Sequence, residues 1–221
     1  MDVLVIGANG QIGTKLVHQL KEKGHKPKAM VRKEEQINQF EKAGIDTVLA
    51  DLEEDISHAF EDVDAVVFTA GSGGNTPKSQ TNVIDRDGAI KAIDETEKSE
   101  ADRFIMVSAL KANRDENTWS EPMEHYYEAK AKADEYLRNT DLNYTVLMPG
   151  RLTNDEGTSK IILKERIDPI QDETITRSDV ASVITEILEE KDTFSKSLEL
   201  LQGDDKIEKA IEKLGYKNNP E

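Results

Sequence analysis

Residues 1–13 read MDVLVIGANGQIG, and this stretch decides the fold. The apolar run Val3–Gly7 leads into three glycines with the spacing Gly7-x-x-Gly10-x-x-Gly13, and an amphipathic helical pattern follows them. A strand, a tight glycine turn and a helix in this order bring the N–H groups of a helix start to a pyrophosphate. The stretch therefore predicts a dinucleotide-binding turn, and a plain strand-to-helix connection is the alternative.

The composition excludes several classes of protein. The 221 residues include no cysteine, and the four histidines lack metal-ligand spacing, so we expect no disulfide, no thiolate chemistry and no metal site. A net charge of -16 argues against nucleic acid or an anionic membrane as a partner. No apolar run approaches the ~18 residues of a membrane span, and the first residues do not read as a signal peptide. We therefore expect a cytoplasmic protein whose partner is a small-molecule substrate.

Predicted strands and helices alternate along the chain. This pattern predicts an α/β fold, a single Rossmann-type domain over residues 1–221, with a doubly wound parallel sheet of about seven strands in the order 3-2-1-4-5-6-7. Such sheets bind ligands beyond the carboxyl ends of their strands. Residues 151–175 read as a reduced, irregular substrate-loop region, and residues 71–77 and 113–124 as loops that roof the substrate site. The predicted strands are Val3–Gly7, Lys28–Arg32, Thr47–Ala50, Ala65–Ala70, Arg103–Ser108, Tyr144–Met148 and Leu198–Leu201.

The end of the second strand indicates which coenzyme binds. A carboxylate at this point accepts hydrogen bonds from a ribose 2′-hydroxyl, whereas an arginine accommodates a 2′-phosphate. Here the strand ends in Arg32 and Lys33, in a chain with 45 acidic and 29 basic residues. Arg32 can bind a phosphate with two hydrogen bonds, and Lys33 adds a point charge. The pair predicts NADP(H) over NAD(H), with a solvated surface pair as the alternative.

Two further strand ends offer coenzyme contacts. Asp51 can accept from an adenine amino group while Leu52 packs on the ring, although an aspartate that merely closes a turn fits the same pattern. After the fourth strand, Thr69, Ala70 and Gly71 are small residues where backbone must pass close to a coenzyme, or simply the start of a loop.

A second group of polar residues falls at the same edge of the sheet. Ser108 ends the fifth strand, and Tyr126 and Lys130 share a face of the next helix at a spacing of four residues. A nearby ammonium lowers the pKa of a phenol, which suits a tyrosine that exchanges protons during hydride transfer, and Ser108 can hold the substrate oxygen. A core tyrosine with a solvent-reaching lysine is the alternative. Tyr127 lacks a lysine at the same spacing. His125 is a rival acid or base, and a partly exposed histidine at the start of the helix is the favoured alternative.

These motifs together resemble a known family. The glycine turn, Ser108, Tyr126-x-x-x-Lys130 and the run Pro149–Leu152 resemble the atypical short-chain dehydrogenase/reductases. The resemblance is greatest to the NmrA-like NAD(P)-binding group, which includes biliverdin-IXβ and flavin reductase-type proteins and chains described as epimerases or dehydratases. It implies that Asp85 stands where the family's four-residue active site has an asparagine.

The sequence and the resemblance together give the predicted site. The predicted catalytic residues are Ser108, Tyr126, Lys130 and Asp85. The predicted coenzyme-binding residues are Gly7, Asn9, Gly10, Gln11, Ile12, Gly13, Arg32, Lys33, Asp51, Leu52, Thr69, Ala70, Gly71, Lys130 and Pro149.

Two functions of different classes remain open. The first is an NADP(H)-dependent oxidoreductase that acts on a small carbonyl, quinone or flavin-like substrate, with an epimerase or dehydratase as its variant. The second is an NmrA-like NADP(H)-sensing regulator without turnover. Charge-rich helices after strands four and five predict a monomer or a weak homodimer.

Overall fold

One large sheet with helices on both faces organises the computed structural model, which describes residues 1–73, 77–170 and 173–215. Its strands are β1 (Asp2–Ile6), β2 (Lys26–Val31), β3 (Asp46–Leu49), β4 (Ala65–Phe68), β5 (Arg103–Val107), β6 (Asn143–Pro149), β7 (Arg151–Thr153), β8 (Lys160–Lys164), β9 (Thr174–Thr176), β10 (Lys196–Gln202) and β11 (Asp205–Lys206). The large sheet has the order β11-β8-β10-β6-β5-β4-β1-β2-β3, and β7 pairs with β9 in a second, two-stranded sheet.

Most of the helices lie between strands of the large sheet, and the last one follows β11. They are α1 (Gln11–Glu22), α2 (Ile37–Glu41), α3 (Lys78–Thr81), α4 (Ala89–Lys98), α5 (Glu124–Arg138), α6 (Arg177–Ile187) and α7 (Ile207–Gly215). A π-helix, Asn82–Gly88, joins α3 to α4 without a break. Over the described ranges no helix is long and apolar enough to cross a bilayer.

The predicted strand order is confirmed, and the strand count is larger than predicted. β1 to β6 and then β10 lie in the predicted sequence, and all their pairings are parallel. Four strands were missed. β8 and β11 extend the sheet beyond β10 through antiparallel pairs, and β7 and β9 form the second sheet, so the region 151–175 is less irregular than predicted. β8 is short and buries only Ile161 and Leu163, so its apolar alternation is too brief to identify a strand.

Two apolar cores lie on the two faces of the sheet. One core packs side chains of α1, such as Leu16 and Val17, with α6 and α7 against the sheet. The other packs α4 and α5 against the opposite face, with Ile93 and Leu137 fully buried. Each fully buried aliphatic side chain of this kind contributes roughly 2 kcal/mol of transfer free energy.

A buried arginine joins the fifth and sixth strands to the end of α6. Arg103 is 1% exposed, and its guanidinium donates to the carbonyls of Leu188 and Asn143 at 2.9 and 2.7 Å and to Thr145 Oγ1 at 2.9 Å. The guanidinium also lies 4.5 Å from the ring centre of Phe194. Burial lowers the pKa of Arg103 to about 9, so the group is still charged at neutral pH. Its role is to satisfy carbonyls at a helix end.

The glycine turn brings backbone into direct contact with backbone. Gly7 has φ +86°, and a Cβ built there would lie 2.6 Å from Ala70 N. A Cβ at Gly13 would overlap the carbonyl oxygen of Gly7 and lie 2.7 Å from Ala8 Cα. Gly10 differs, because a Cβ there would meet only Gly7 O, at 3.1 Å. Two of the three glycines are therefore required by packing, and the third is not.

We expect this difference to appear as a difference in stability. Gly13→Ala should lower the free energy of unfolding by about 3 kcal/mol, because its methyl group can be accommodated only if α1 moves away from β1. Gly10→Ala is the matched control and should stay within about 1 kcal/mol of the unmodified chain. Urea unfolding followed by circular dichroism measures both values. Equal losses in the two variants would contradict the packing argument.

Candidate functional site

The first turn of α1 opens at the glycine turn without a side-chain cap. The helix begins at Gln11, after Gly10, whose own N–H donates to Gly7 O at 2.9 Å. Thr14 N donates to Gly10 O at 2.9 Å. The N–H groups before it, including those of Gln11 and Ile12, have no carbonyl acceptor in the helix. These groups can bind an anion such as a pyrophosphate.

Two exposed cations follow β2, as predicted from the sequence. The backbone N–H groups of Arg32 and Lys33 both donate to Gln36 Oε1 at 3.2 Å, which fixes the turn. Lys33 Nζ lies 3.8 Å from Glu35 Oε1. Among the residues that the structure describes, the Arg32 guanidinium has no carboxylate partner. It is therefore available to a phosphate.

Three other predicted coenzyme contacts have partners within the protein. Asn9 Oδ1 accepts from Gln39 Nε2 at 2.5 Å, which directs this side chain towards α2. Asp51 Oδ1 accepts from the backbone N–H two residues later at 3.0 Å, the geometry of the turn-forming alternative. Leu52 is buried. Its Cδ1 lies so close to Gly88 that a Cβ built there would be 3.2 Å away. Of the three, Leu52 is a core residue.

The segment after β4 runs close against the glycine turn. Thr69 Oγ1 donates to Ile6 O at 3.0 Å, so its hydroxyl is bound to β1. The backbone of Ala70 forms the contact with Gly7 described above. Gly71 is exposed, and residues 74–76 of the predicted 71–77 roof lie outside the described residues. Thr69, Ala70 and Gly71 thus line the same edge as the turn, with backbone rather than side chains.

A buried ion pair lies at this edge. Lys130 Nζ is 3.2 Å from Asp85 Oδ1, and the two side chains are 3% and 0% exposed. Asp85 is held by the π-helix and accepts a hydrogen bond from Ser72 N at 2.9 Å, and Lys130 donates to Val107 O at 3.2 Å. Burial lowers the pKa of Lys130, but Tyr126 and the nearby carboxylates outweigh it and the pKa is raised. Lys130 is therefore a charged, fixed ammonium.

Tyr126 lies beside this pair and is half-buried. Its ring centre is 5.9 Å from Lys130 Nζ, so the predicted tyrosine and lysine are together. The expected lowering of its pKa is wrong in sign. Burial raises the pKa of Tyr126, and the attraction of Lys130 for the phenolate offsets this only in part. At neutral pH the phenol carries its proton and can donate it.

Ser108 has a hydrogen-bond partner within the protein. Its hydroxyl donates to Asp134 Oδ2 at 2.6 Å, and both residues are buried. Asp134 was missed, although Tyr126, Lys130 and Asp134 are spaced by four residues on one face of α5. Burial raises the pKa of Asp134 to about 6, and the Ser108 hydrogen bond opposes that shift. The hydroxyl of Ser108 is thus held by Asp134, and its role toward a substrate oxygen stays a prediction.

Aromatic rings form a wall next to Tyr126. The ring centres of Tyr126 and Tyr127 are 5.5 Å apart, and Trp119 lies 5.7 Å from Tyr127. Trp119 Nε1 donates to Lys111 O at 2.7 Å, which holds the indole against the start of its own segment. The neighbouring His125 is half-buried, and its Nδ1 has no partner within the described chain. The predicted roof over residues 113–124 therefore places the Trp119 indole next to Tyr127, at an interplanar angle of 45°.

One predicted coenzyme-binding residue remains, at the end of β6. Pro149 is the last residue of β6, buried and in register with Leu200 of β10, so it contributes to the sheet edge. Across the described ranges no three acidic or histidine side chains come together as metal ligands.

We expect Asp134→Asn to stabilise the protein at neutral and alkaline pH. Because the folded-state pKa is raised, the folded protein binds this proton more tightly than the unfolded chain between about pH 4 and about pH 6, and the buried carboxylate costs stability above that range. The amide can still accept from Ser108. The gain should reach about 3 kcal/mol near pH ~8 and vanish towards pH ~4.

Urea unfolding across that pH range measures this effect. Asp141→Asn, at an exposed aspartate just after α5, is the matched control. A gain that does not depend on pH would show that Asp134 is not the group that titrates.

Comparison with known proteins shows the family to which the chain belongs. The model of a family described as NAD(P)H-binding matches residues 7–191. A Bacillus subtilis protein named as an uncharacterized sugar epimerase, YhfK, is 45% identical over 195 residues, which cover 86% of this chain and 89% of the relative.

Solved structures extend the agreement to the whole fold. A Bacillus halodurans structure with the provisional name NAD-dependent epimerase/dehydratase is 46% identical, has a TM-score of 0.93 and covers 96% of this chain and 99% of its own. The oxidoreductase ylbE of Lactococcus lactis is 28% identical, with a TM-score of 0.88 and full coverage of both chains. The family match and these relatives agree with the resemblance to atypical short-chain dehydrogenase/reductases. The chain therefore belongs to the NAD(P)H-binding family.

Proposed function

We propose that this protein is an NADP(H)-dependent oxidoreductase that reduces a small carbonyl, quinone or flavin-like acceptor. The observation that carries the proposal is the buried Lys130–Asp85 pair beside Tyr126, at the sheet edge where the glycine turn lies. A helix start that binds pyrophosphate and a tyrosine next to a fixed ammonium are what hydride transfer to an acceptor requires of a protein. The similarity to an oxidoreductase structure over the whole chain supports the same class.

The residues at the edge fit a phosphorylated dinucleotide. The uncapped first turn of α1 offers N–H groups to the pyrophosphate. Gly7 and Gly13 let β1, β4 and α1 pack closely, so that backbone can approach the coenzyme. Arg32 is exposed at the end of β2, and no acidic residue precedes Glu34 there. These features favour NADP(H) over NAD(H).

The chain supplies the proton for the reaction. When bound, the reduced nicotinamide would supply hydride. Tyr126 is protonated at neutral pH, so its hydroxyl can donate to an oxygen on the acceptor. As that proton leaves, the Lys130 ammonium stabilises the phenolate, and Asp85 holds the ammonium in place. The negative charge of Asp85 also offsets part of the attraction that the Lys130 ammonium exerts on the phenolate. A neutral asparagine at this position would not do so.

The aromatic rings beside Tyr126 indicate which class of acceptor the site favours. The rings of Trp119, Tyr127 and Tyr126 are inclined to one another by 45° and 62°, and a planar conjugated molecule can pack on an exposed face of one of them. A quinone or flavin fits this surface better than a sugar, whose hydroxyls need polar partners. A flavin can accept hydride on its ring and take its proton from water, so Tyr126 is needed most for a simple carbonyl.

A coenzyme-sensing protein without turnover is the second candidate. The observation that favours it is the direct contact of Asp85 with Lys130, because a carboxylate at 3.2 Å weakens the stabilisation of a phenolate. An epimerase or dehydratase, the names carried by the Bacillus relatives, is the variant of the first candidate. NADPH oxidation against a panel of quinones, flavins and aldehydes separates them. Tight NADPH binding with no oxidation by any acceptor would favour the sensor.

The coenzyme assignment predicts a selective effect of Arg32. Arg32→Glu should weaken NADPH binding by about 30-fold and leave NADH binding within about threefold, because only NADPH carries the 2′-phosphate. Lys26→Glu, at the opposite end of β2, is the control for net charge and should alter neither. Titration calorimetry measures both coenzymes. An unchanged NADPH affinity in Arg32→Glu would contradict the assignment.

The proton donor predicts a dependence on the acceptor. Tyr126→Phe should lower turnover of an aldehyde about 100-fold while changing that of a flavin less than about threefold. Lys130→Met should affect the aldehyde similarly. Tyr136→Phe is the matched control, because Tyr136 lies on the same helix, is exposed and donates to Asp94. Steady-state rates of NADPH oxidation test this, and an aldehyde rate that survives Tyr126→Phe would remove Tyr126 as donor.

A further inference from the structure

A carboxylate is buried at the far side of the site, one strand beyond β6. Glu199 lies in β10, opposite Met148 of β6, and its side chain is 0% exposed. Arg114 Nη2 is 2.5 Å from Glu199 Oε2, and Ile167 N donates to the same oxygen at 2.6 Å. Arg166 Nη1 is 3.7 Å from the other oxygen. A buried charge is tolerated only with such compensation.

The partners of Glu199 come from two different loops. Arg114 belongs to the segment after β5, and it also donates to Ile167 O at 2.8 Å. Arg166 belongs to the segment after β8 and donates to Asn113 O at 3.2 Å. Glu199 therefore clamps the two loops to each other and to the sheet. An apolar contact of Leu110, Ile167 and Leu201 lies in the same region.

The segment clamped at Arg114 carries the aromatic wall. Arg114 is five residues before Trp119, and a turn capped by Asp115 connects them, with Asn117 N donating to Asp115 Oδ1 at 2.9 Å. Trp119 Nε1 donates a hydrogen bond back to Lys111 O at 2.7 Å. The segment from Lys111 to Trp119 is thus closed on itself by its own hydrogen bonds. Its position relative to Tyr127 depends on where Arg114 is held.

We propose that Glu199 is the positioning residue of the acceptor site, because its clamp on Arg114 sets where Trp119 lies against Tyr127. The proposal rests on the proposed function for its effect on turnover. Without the carboxylate, Arg114, which is 12% exposed, would be a nearly buried cation without a counter-charge. Releasing Arg114 to water costs less than keeping it buried, so the segment moves outward with it. Trp119 then leaves the wall beside Tyr126.

The experiment uses Glu199→Gln, which keeps the shape and removes the charge. Trp119 is the one tryptophan of the chain, so its emission reports this segment alone. We expect acrylamide quenching of Trp119 to rise about twofold in the folded variant. The KM of the acceptor should rise about tenfold while the Kd of NADPH changes less than about twofold. Glu212→Gln, at an exposed residue of α7, is the matched control.

A second variant tests the same proposal if Glu199→Gln does not fold. Arg114→Lys keeps the charge, but its ammonium lies one bond closer to the main chain than Nη2, the atom that bonds both Glu199 and Ile167 O, so it should shift the same readouts in the same direction. Unchanged quenching and an unchanged acceptor KM in a folded variant would overturn the proposal, even if its melting temperature falls. If none of the acceptors supports NADPH oxidation by the unmodified protein, the proposed function fails. The quenching of Trp119 then still decides whether Glu199 positions the segment.

Discussion

Backbone packed directly on backbone at the glycine turn is the constraint on which the rest of the structure depends. Gly7 lies against Ala70, and Gly13 lies against Gly7, so β1, β4 and α1 meet with no side chain between them. Because of this contact, the first turn of α1 lies at the carboxyl edge of the sheet. It also brings the segment after β4 to Asp85, and so places the coenzyme turn and the buried ion pair at one edge.

Much of the fold follows from local patterns in the sequence. Apolar runs such as Ala65–Phe68 and their alternation with helices predict seven strands in the correct order, because right-handed crossovers leave few other arrangements. β8 and β11 escape prediction because β8 pairs with β10 and β11 pairs with β8, and local sequence patterns do not show which segments will pair. The π-helix escapes for the same reason, because its sequence is as compatible with an ordinary α-helix.

The site was predictable where it rests on spacing along one element. Tyr126 and Lys130 are such a pair, and they lie together. Asp134 continues their spacing but looks like an ordinary helix carboxylate until β5 brings Ser108 to it. Glu199 has no local signature, because its partners are 32 and 85 residues away in the chain. Burial also reversed the expected pKa of Tyr126, since the sequence shows the neighbouring charge but not the lost water.

The π-helix Asn82–Gly88 gives this site an unusual sensitivity to chain length. A π turn holds one residue more than an α turn, and each residue of an α-helix advances the face by about 100°. Deleting a single residue there would let the helix run on regularly and turn Asp85 away from Lys130. The acidity of the tyrosine can therefore be retuned in related chains by a one-codon insertion or deletion, with every charged side chain of the site left intact.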